Sequence, residues 1–303
     1  MLQILTGTDF PFMKYRRLAY FFSGAIVLAT LAFLFLRGPR YSVDFTGGTL
    51  LQIRTTPAVS ADAVRASLDA GGYRGAEIQQ MTGENRDEVL IRVQGDTTNV
   101  VDVVTRAITT RIPGTKVEMR GLQSVGPKVG GELRQKAIWA IVSSLGVILL
   151  YVGWRYEFKF AVGGVVALLH DVLVTLGFLM FTGREISLTV VAALLTIAGY
   201  SINDTIVVFD RIRERSKALR KERHSRVMDI AVNETLSRTV ITAFTVFLTA
   251  LALFIWGGEV LRDFSFAMLV GTVFGTYSSV YVASAMALDI WIALDRRKGI
   301  QAE

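Results

Sequence analysis

Long apolar runs dominate the chain and determine its predicted architecture. A membrane helix needs about 20 mostly apolar residues to cross about 30 Å of hydrocarbon. Six runs of this kind occur, at residues 18–36, 137–154, 158–181, 186–209, 239–256 and 264–290. The first run is too long for the apolar core of a signal peptide, and no Ala-x-Ala cleavage pattern follows it, so we expect a retained anchor. The sequence therefore predicts a polytopic α-helical membrane protein with six transmembrane helices.

Basic residues predict the orientation of these helices, because short loops rich in Lys and Arg stay on the cytoplasmic side. Basic residues precede the first span, flank the loop between the second and third spans, and are concentrated in the loop at 210–238. The hairpins 182–185 and 257–263 carry one arginine each. This distribution predicts an inner-membrane protein with spans two to six in residues 136–291. Both termini, residues 1–17 and 292–303, are then cytoplasmic.

A long segment between the first two spans, residues 37–135, is predicted to form a small α+β domain outside the cytoplasm. Strand signals occur at 43–54, 76–81, 88–93 and 116–122, and helix signals at 61–70 and 98–111. The resulting order β-α-β-β-α-β is typical of a ferredoxin-like split βαβ unit. Because the segment contains neither His nor Cys, we expect a docking or binding role, with a simple spacer as the alternative.

Composition excludes several classes of chemistry. The chain has no cysteine and two histidines, so thiolate chemistry is excluded and a zinc site cannot be built from the histidines alone. No lysine follows a glycine, so the phosphate-binding Gly-Lys-Ser/Thr loop is absent. The net charge of +7 is concentrated at the predicted membrane edges. We expect no enzyme activity, no catalytic residue, no metal, no cofactor and no nucleic-acid partner.

Asp204 is the first polar residue that requires an explanation. It lies five residues before the end of the fourth run, which places it roughly 7–8 Å inside the membrane boundary. An ionisable residue at such a depth costs about 2.5–3.5 kcal/mol, so it needs a partner or a function. We expect a functional carboxylate beside the polar Asn203. Alternatively, the helix shifts outward by a turn and Asp204 pairs with Arg211.

Arg238 opens the fifth span, and Thr242 and Thr245 follow it at steps of four and three. These steps keep the three side chains on one helix face. The sequence predicts a polar stripe beside Asp204 that hosts water and proton transfer. Two alternatives stay open: Glu234 neutralises Arg238 one turn away, and the threonine hydroxyls bond to carbonyls of their own helix.

Two further features lie inside the third and sixth spans. His170 and Asp171 occupy the middle of the third span. Asp171 is either a second relay carboxylate or a buried acid that joins helices by hydrogen bonds. Small residues recur at every fourth position of the sixth span: Gly271, Gly275, Ser279, Ala283 and Ala287. Such a ridge predicts the close approach of another helix.

Several segments resemble the SecF branch of the SecD/SecF family, in the resistance-nodulation-division superfamily. They are VDFTGGT at 43–49, VGPKVG at 125–130, GYSINDT at 199–205, DRIRE at 210–214, LSRT at 236–239 and YVASA at 281–285. The resemblance covers nearly the whole chain. Together the segments are highly specific for the family, whereas one alone would not be.

The resemblance implies a membrane-embedded complex with SecD that associates with the SecYEG channel and helps to pull preproteins out of it. The proton gradient is the implied energy source, with sodium as the alternative ion. On the family's pattern, the proton relay falls on Asp204 and Arg238. The remaining polar residues are candidates for a secondary relay or for polar packing: His170, Asp171, Asn203, Thr242 and Thr245.

Glycines at the two connections to the extramembrane domain are candidate hinges, because glycine adopts backbone conformations that other residues resist. They are Gly47, Gly48, Gly130 and Gly131. Two other functions stay open on the sequence. One is half of a small-solute permease driven by a separate ATPase. Discontinuous transporter helices are expected to contain interruptions such as proline, but no proline occurs in any of the six runs. The other is a passive membrane scaffold.

Overall fold

The computed structural model describes residues 7–71, 76–81, 87–93 and 100–297. The chain divides into two compact units, Met1–Arg40 with Trp139–Glu303, and Tyr41–Ile138. Within the described residues, six helices are long and apolar enough to cross a membrane. The predicted multi-pass helical protein with six spans and a small sheet domain is thus confirmed at this level.

The elements follow one another along the chain as α1 (Arg16–Arg37), α2 (Val43–Thr46), β1 (Gly48–Thr56), α3 (Ala61–Ala70), β2 (Glu77–Gln80), β3 (Glu88–Val93), α4 (Val100–Arg111), β4 (Lys116–Val125), α5 (Pro127–Arg155), α6 (Phe158–Phe181), α7 (Leu188–Ala218), α8 (His224–Trp256), α9 (Gly258–Ser278) and α10 (Ser284–Arg297). A short 3-10 turn, Phe12–Tyr15, precedes α1. A π-helical turn, Ser279–Ala283, joins α9 to α10, and these three pieces form the sixth span.

The sheet unit contains four antiparallel strands in the order β2-β3-β1-β4. Successive side chains of a strand point to opposite faces, and in β1 this alternation buries Leu51 and Ile53 completely. The apolar faces of α3 and α4 cover them, with Val64 and Ile108 fully buried. The helix α3 begins after Ser60, whose Oγ accepts a hydrogen bond from the Ala63 backbone N–H at 3.3 Å. One apolar core therefore holds the unit together.

The first predicted strand is wrong at its start. Val43–Thr46 forms the helical turn α2, and the strand begins only at Gly48. Ser42 starts the turn because its Oγ accepts a hydrogen bond from the Asp44 backbone N–H at 3.2 Å. Gly47 ends it with a positive φ of 72°. The turn predicted before residue 88 and the start of the helix predicted at residue 98 lie outside the described residues.

The basic segment 210–238, predicted as a loop, is mostly helical. The helix α7 continues to Ala218 and α8 begins at His224. Charged side chains link the two helices in this stretch, since Glu234 accepts hydrogen bonds from Arg211 at 2.7 Å and from Arg215 at 2.5 Å. Both helices therefore extend beyond the apolar part of the span, and only residues 219–223 connect them.

The N-terminal segment is attached to the beginning of α8 by side chains that bond its backbone. Asn233 Oδ1 accepts from the Phe10 N–H at 3.0 Å, and Asn233 Nδ2 donates to the Phe10 carbonyl at 2.9 Å. Asp229 Oδ1 accepts from the Met13 N–H at 2.8 Å. These contacts fix the start of α8 within the helical unit.

The candidate hinge glycines have clear steric roles. A Cβ at Gly130 would lie 2.9 Å from Gly47 N and 3.2 Å from the Phe45 carbonyl oxygen, whereas Gly131 has open space around its Cβ position. Both residues belong to the first turns of α5. Gly47 and Gly48 have φ angles of 72° and 124°, which L side chains rarely adopt. Motion at these glycines stays a prediction.

Replacing Gly130 by Ala should destabilise the sheet unit by about 1–3 kcal/mol, because the added methyl group meets backbone atoms that cannot rotate away. Gly131→Ala is the matched control, since the same methyl group enters open space and Ala favours a helix. Denaturant unfolding of the purified chain in detergent measures both variants. Equal stability of the two variants would contradict the close-packing role of Gly130.

Candidate functional site

Asp204 joins three helical elements through its carboxylate. It lies on α7 and is 8% exposed. Its Oδ1 accepts a hydrogen bond from Thr239 Oγ1 of α8 at 2.6 Å, and its Oδ2 accepts from Ser279 Oγ at the start of the π turn at 2.5 Å. The aspartate predicted from the sequence is thus held between α7, α8 and the sixth span by two hydroxyl groups.

Asp171 is surrounded in the same way. It lies on α6 and is fully buried. Its Oδ2 accepts hydrogen bonds from Ser201 of α7 at 2.5 Å and from Ser278 of the sixth span at 2.7 Å. Its Oδ1 lies 3.0 Å from Nδ1 of the adjacent His170. This second carboxylate therefore fastens α6 to α7 and to the sixth span.

The two carboxylates belong to one polar network. Ser201 and Asp204 are one helical turn apart on α7, and Ser278 and Ser279 are consecutive in the sixth span. We call the six side chains the hydroxyl–carboxylate cluster: Asp171, Ser201, Asp204, Thr239, Ser278 and Ser279. In the sixth span, Ser278 donates to Asp171 and the next residue, Ser279, donates to Asp204. The cluster therefore lies where α6, α7, α8 and the sixth span meet.

Small residues of the sixth span allow this meeting. A Cβ at Gly271 would lie 2.3 Å from the side chain of Ile197, and one at Gly275 would lie 3.3 Å from Ser201 Cβ and 3.6 Å from Asp171 Oδ2. Larger side chains would hold α9 away from α6 and α7. The small-residue ridge therefore brings the serines within hydrogen-bonding distance of the carboxylates.

An apolar layer lies next to the cluster, toward the C-terminal end of α7. Phe209 and Ile212 are completely buried there. The Phe209 ring lies 4.9 Å from the ring of Phe160 on α6, measured between centroids. Water is excluded from such close-packed aromatic layers, so this side offers the Asp204 carboxylate no solvent.

Arg238 is exposed on α8 and stands next to Thr239. Within the described parts of the chain its guanidinium forms no hydrogen bond or ion pair. The alternative partner Glu234 bonds to Arg211 and Arg215 instead. The alternative pairing of Asp204 with Arg211 is therefore also not formed. The structure brings the neighbour of Arg238, and not its guanidinium, into contact with Asp204.

The threonines of the predicted polar stripe do not join the cluster. Thr242 donates to the carbonyl oxygens of Arg238 and Thr239, each at 3.0 Å, and Thr245 donates to that of Thr242 at 2.8 Å. Asn203 is exposed on α7, outside the cluster. The geometry agrees with the alternative in which these hydroxyls bond within their own helix.

Sequence reasoning missed the hydroxyl donors Thr239, Ser201, Ser278 and Ser279. Ser279 was noticed only as a small residue of the ridge in the sixth span. Its position one residue after Ser278 was a usable signal. Two adjacent hydroxyl groups deep in an apolar run need hydrogen-bond partners, just as a buried charge does. The π turn that begins at Ser279 has no comparable signature, although such turns occur often at functional sites.

The comparisons with known proteins match the residues that build this site. The family model described as "Protein export membrane protein SecD/SecF, C-terminal" matches residues 104–292, and "SecD/SecF GG Motif" matches residues 32–59. The protein translocase subunit SecF of Vibrio alginolyticus is 40% identical over 307 residues, covering 100% of this chain and 97% of that protein. The chain belongs to the SecF family.

Other SecF relatives and solved structures agree. The SecF subunit of Rhodothermus marinus is 41% identical, covering 95% of this chain and 96% of that protein. The crystal structure of SecDF, a translocon-associated membrane protein from Thermus thermophilus, superposes with a TM-score of 0.86 at 38% identity. It covers 95% of this chain, which spans 39% of the length of that SecDF chain. As a SecF-family member, the chain is a protein-translocase subunit.

The chemistry of the SecF-family site is that of carboxylates held by neutral donors. In the described part of the chain, no Lys or Arg nitrogen lies within 4 Å of the Asp171 or Asp204 oxygens. The same residues contain no group of three or more His, Asp or Glu side chains placed to hold a metal ion. A buried charge without a counter-ion is costly, so these carboxylates depend on their hydroxyl donors.

Thr239→Val should destabilise the chain by about 1–3 kcal/mol, because a buried Asp204 oxygen loses its hydroxyl donor. Thr242→Val is the matched control on the same helix and should have little effect, since Thr242 is exposed and its hydroxyl bonds to carbonyl oxygens of its own helix. Thermal unfolding in detergent compares the variants. An equal loss of stability in both would show that the Thr239–Asp204 bond contributes nothing specific.

Proposed function

We propose that the chain is the SecF half of a complex with SecD that uses the proton-motive force to assist preprotein export through the SecYEG channel. The observation that carries the proposal is the Asp204 carboxylate, which joins α7, α8 and the sixth span through hydroxyl groups alone. The relatives support it by their names: SecF is a protein-translocase subunit, and the SecDF structure is of a translocon-associated protein.

Protonation of Asp204 changes the hydrogen bonds that hold three helices. As a carboxylate, it accepts from both Thr239 and Ser279. As an acid, it becomes a donor, and one hydroxyl must turn to accept. Ser279 can do so, because its Oγ also lies 3.0 Å from the carbonyl oxygen of Thr276, to which it can donate instead. The described residues provide no such alternative acceptor for Thr239 Oγ1.

The proton therefore belongs on Oδ2, facing Ser279. The hydrogen bond between Asp204 on α7 and Ser279 of the sixth span then reverses its direction. The hydrogen bond from Thr239 of α8 to Asp204 is retained. A unit charge crossing 100 mV releases about 2.3 kcal/mol, which is enough to shift an equilibrium between two helix packings by more than tenfold. Proton passage through the site thereby changes the packing of the helices.

Arg238 contributes a positive charge at the end of the polar region. It is exposed in the single chain, on the same helix as Thr239. In the proposed relay, this charge lies on the residue before Thr239, whose hydroxyl holds Asp204 Oδ1. The exposed position leaves its guanidinium available to a partner chain such as SecD.

The proposed orientation follows from the basic residues. The Lys and Arg residues at the end of α7 and the start of α8 support a cytoplasmic position for the connection between these helices, and with it for both chain termini. The sheet unit between α1 and α5 is then extracytoplasmic. We propose that it is a ferredoxin-like docking domain, supported by its strand order β2-β3-β1-β4 and its two helices.

Asp204→Asn should abolish the gradient-dependent part of export, because Asn keeps the shape of Asp but cannot change its charge. The assay uses vesicles that contain SecYEG, SecD and this chain, with an imposed proton gradient, and measures the amount of protected preprotein. Asp210→Asn is the matched control, since Asp210 lies on the same helix and is exposed. Gradient-dependent export that survives in Asp204→Asn would exclude Asp204 as the coupling site. A wild-type chain that assists export equally without a gradient would be a passive scaffold.

Arg238→Lys should retain part of the gradient-dependent export, whereas Arg238→Met should lose it. Lys keeps the positive charge but not the planar donor group of Arg, and Met keeps only the length. The same vesicle assay ranks the variants against the wild type. If Met supports export as well as Arg does, the residue is only an anchor at the membrane edge.

A further inference from the structure

The buried pair His170–Asp171 is not used by the proposed relay. His170 is 5% exposed and Asp171 is fully buried. The imidazole Nδ1 lies 3.0 Å from Asp171 Oδ1, and the other carboxylate oxygen accepts from Ser201 and Ser278. A histidine backed by a buried carboxylate is the arrangement by which proteins hold an imidazole in one tautomer and stabilise its protonated form.

The free nitrogen of this imidazole is the feature that requires an explanation. Because a carboxylate oxygen only accepts, Nδ1 carries the hydrogen of that contact and Nε2 is left as an acceptor. Nε2 is buried and has no hydrogen-bond partner among the described residues. An unsatisfied buried acceptor is costly. A proton is the smallest ligand that such a nitrogen can take up.

The surroundings of His170 contain few other groups that titrate. Tyr277 of the sixth span lies nearest, with ring centroids 6.0 Å apart, and its hydroxyl contacts Ser23 of α1 at 3.1 Å. The helix α1 has no charged residue between Arg17 and Arg37. On α7, Tyr200 and Asp204 lie within one turn of Ser201, and on the sixth span Tyr281 stacks beside Tyr277. The other ionisable residues of these helices lie towards their ends and include Lys159 on α6, Asp210 and the basic residues that follow it on α7, Arg262 and Asp263 on α9, and Asp289 of α10, which bonds to Arg16 and Tyr20.

Two adjacent serines connect this pair to Asp204. Ser278 donates to Asp171 and also lies 3.1 Å from the Gly275 carbonyl oxygen, just as Ser279 has a second acceptor in Thr276. Either hydroxyl can therefore reverse its bond to its carboxylate. The π turn begins at this point, and Ser284 Oγ bonds the Ser279 carbonyl oxygen at 2.9 Å. The serine bonded to Asp171 therefore ends α9, and the serine bonded to Asp204 begins the π turn.

We propose that His170 Nε2 is a second proton-binding site, held by Asp171 and coupled to Asp204 through Ser278 and Ser279. The coupling rests on the proposed role of Asp204, whereas the site itself does not. Binding adds one proton to Nε2 and breaks no covalent bond. The resulting imidazolium is balanced by the Asp171 carboxylate, so the pair takes up a proton without leaving a buried charge uncompensated.

Nitrogen NMR tests the site directly, because the chain has only two histidines. The full chain is labelled with ¹⁵N-histidine, combined with unlabelled SecD in lipid nanodiscs, and gives two sets of imidazole resonances. The second histidine, His224, contacts Asp295 at 2.7 Å and serves as the control in the same sample. We expect the His170 Nε2 resonance to move from the bare to the protonated position between about pH 8 and pH 5. A resonance that does not move in this range would overturn the proposal.

The coupling is tested by Asp204→Asn in the same experiment. Because Asn has an amide group in place of one carboxylate oxygen, the Ser279 and Ser278 hydroxyls should reorient and move the His170 transition by about one pH unit, the scale on which coupled sites titrate together. The His224 transition should stay in place. An unchanged His170 transition would show that the two sites are independent and would contradict the coupling.

The serine link is tested by repeating that comparison in the double variant Ser278→Ala/Ser279→Ala. The shift caused by Asp204→Asn should fall to less than half. Thr272→Ala is the matched control, since Thr272 is a buried hydroxyl of the same helix that bonds only to the Met268 carbonyl oxygen, and it should leave the shift intact. A shift of full size in the double variant would show that the serines do not transmit it.

The vesicle assay separates this inference from the proposed function. If Asp204→Asn leaves export intact while the His170 transition still shifts, the proposed relay fails and the second site stands. If Asp204→Asn abolishes export while His170 Nε2 never takes up a proton, the second site fails and the relay stands.

Discussion

Burial of two aspartates in contact with hydroxyl groups constrains the whole helical unit. A carboxylate removed from water must accept hydrogen bonds, or it costs several kcal/mol. Here the donors come from α7, α8 and the sixth span, so the spans cannot separate at this level without leaving a charge unsatisfied. The same bonds are sensitive to protonation, because an acid must donate where a carboxylate accepts. The contacts that stabilise the helical unit are therefore the same ones through which the proposed relay would act.

The rest of the unit supports this arrangement by close packing. Gly271 and Gly275 bring the sixth span against α7, and the buried Phe209 closes one side of the cluster. The π turn places two serines in succession opposite two different carboxylates. In the sheet unit, Gly130 and Gly47 make a comparable close contact between α5 and the turn after α2. Small residues thus determine where polar groups can meet.

Much of this could be predicted from the sequence, and the failures have physical reasons. The apolar runs gave the spans, and the cost of buried charge identified Asp204 and Asp171. Hydropathy marks where lipid ends and not where a helix ends, so the segment 210–238 was predicted as a loop although Glu234 and its arginines keep it helical. The donor Thr239 was missed because periodicity assigns residues to a face but does not reveal which helix that face meets.

The central claim is that the charge of Asp204 selects between two packings of the spans. A distance between spin labels tests it most directly, and the absence of native cysteine allows labels to be attached at will. Labels replace the exposed Lys217 at the end of α7 and the exposed Arg296 at the end of α10, in the complex with SecD in nanodiscs. The account predicts that lowering the pH from 8 to 5 changes this distance by about 2 Å or more, and that Asp204→Asn shows the low-pH distance at both values. A distance that is the same at both pH values in the wild type, or that still responds to pH in Asp204→Asn, would contradict it.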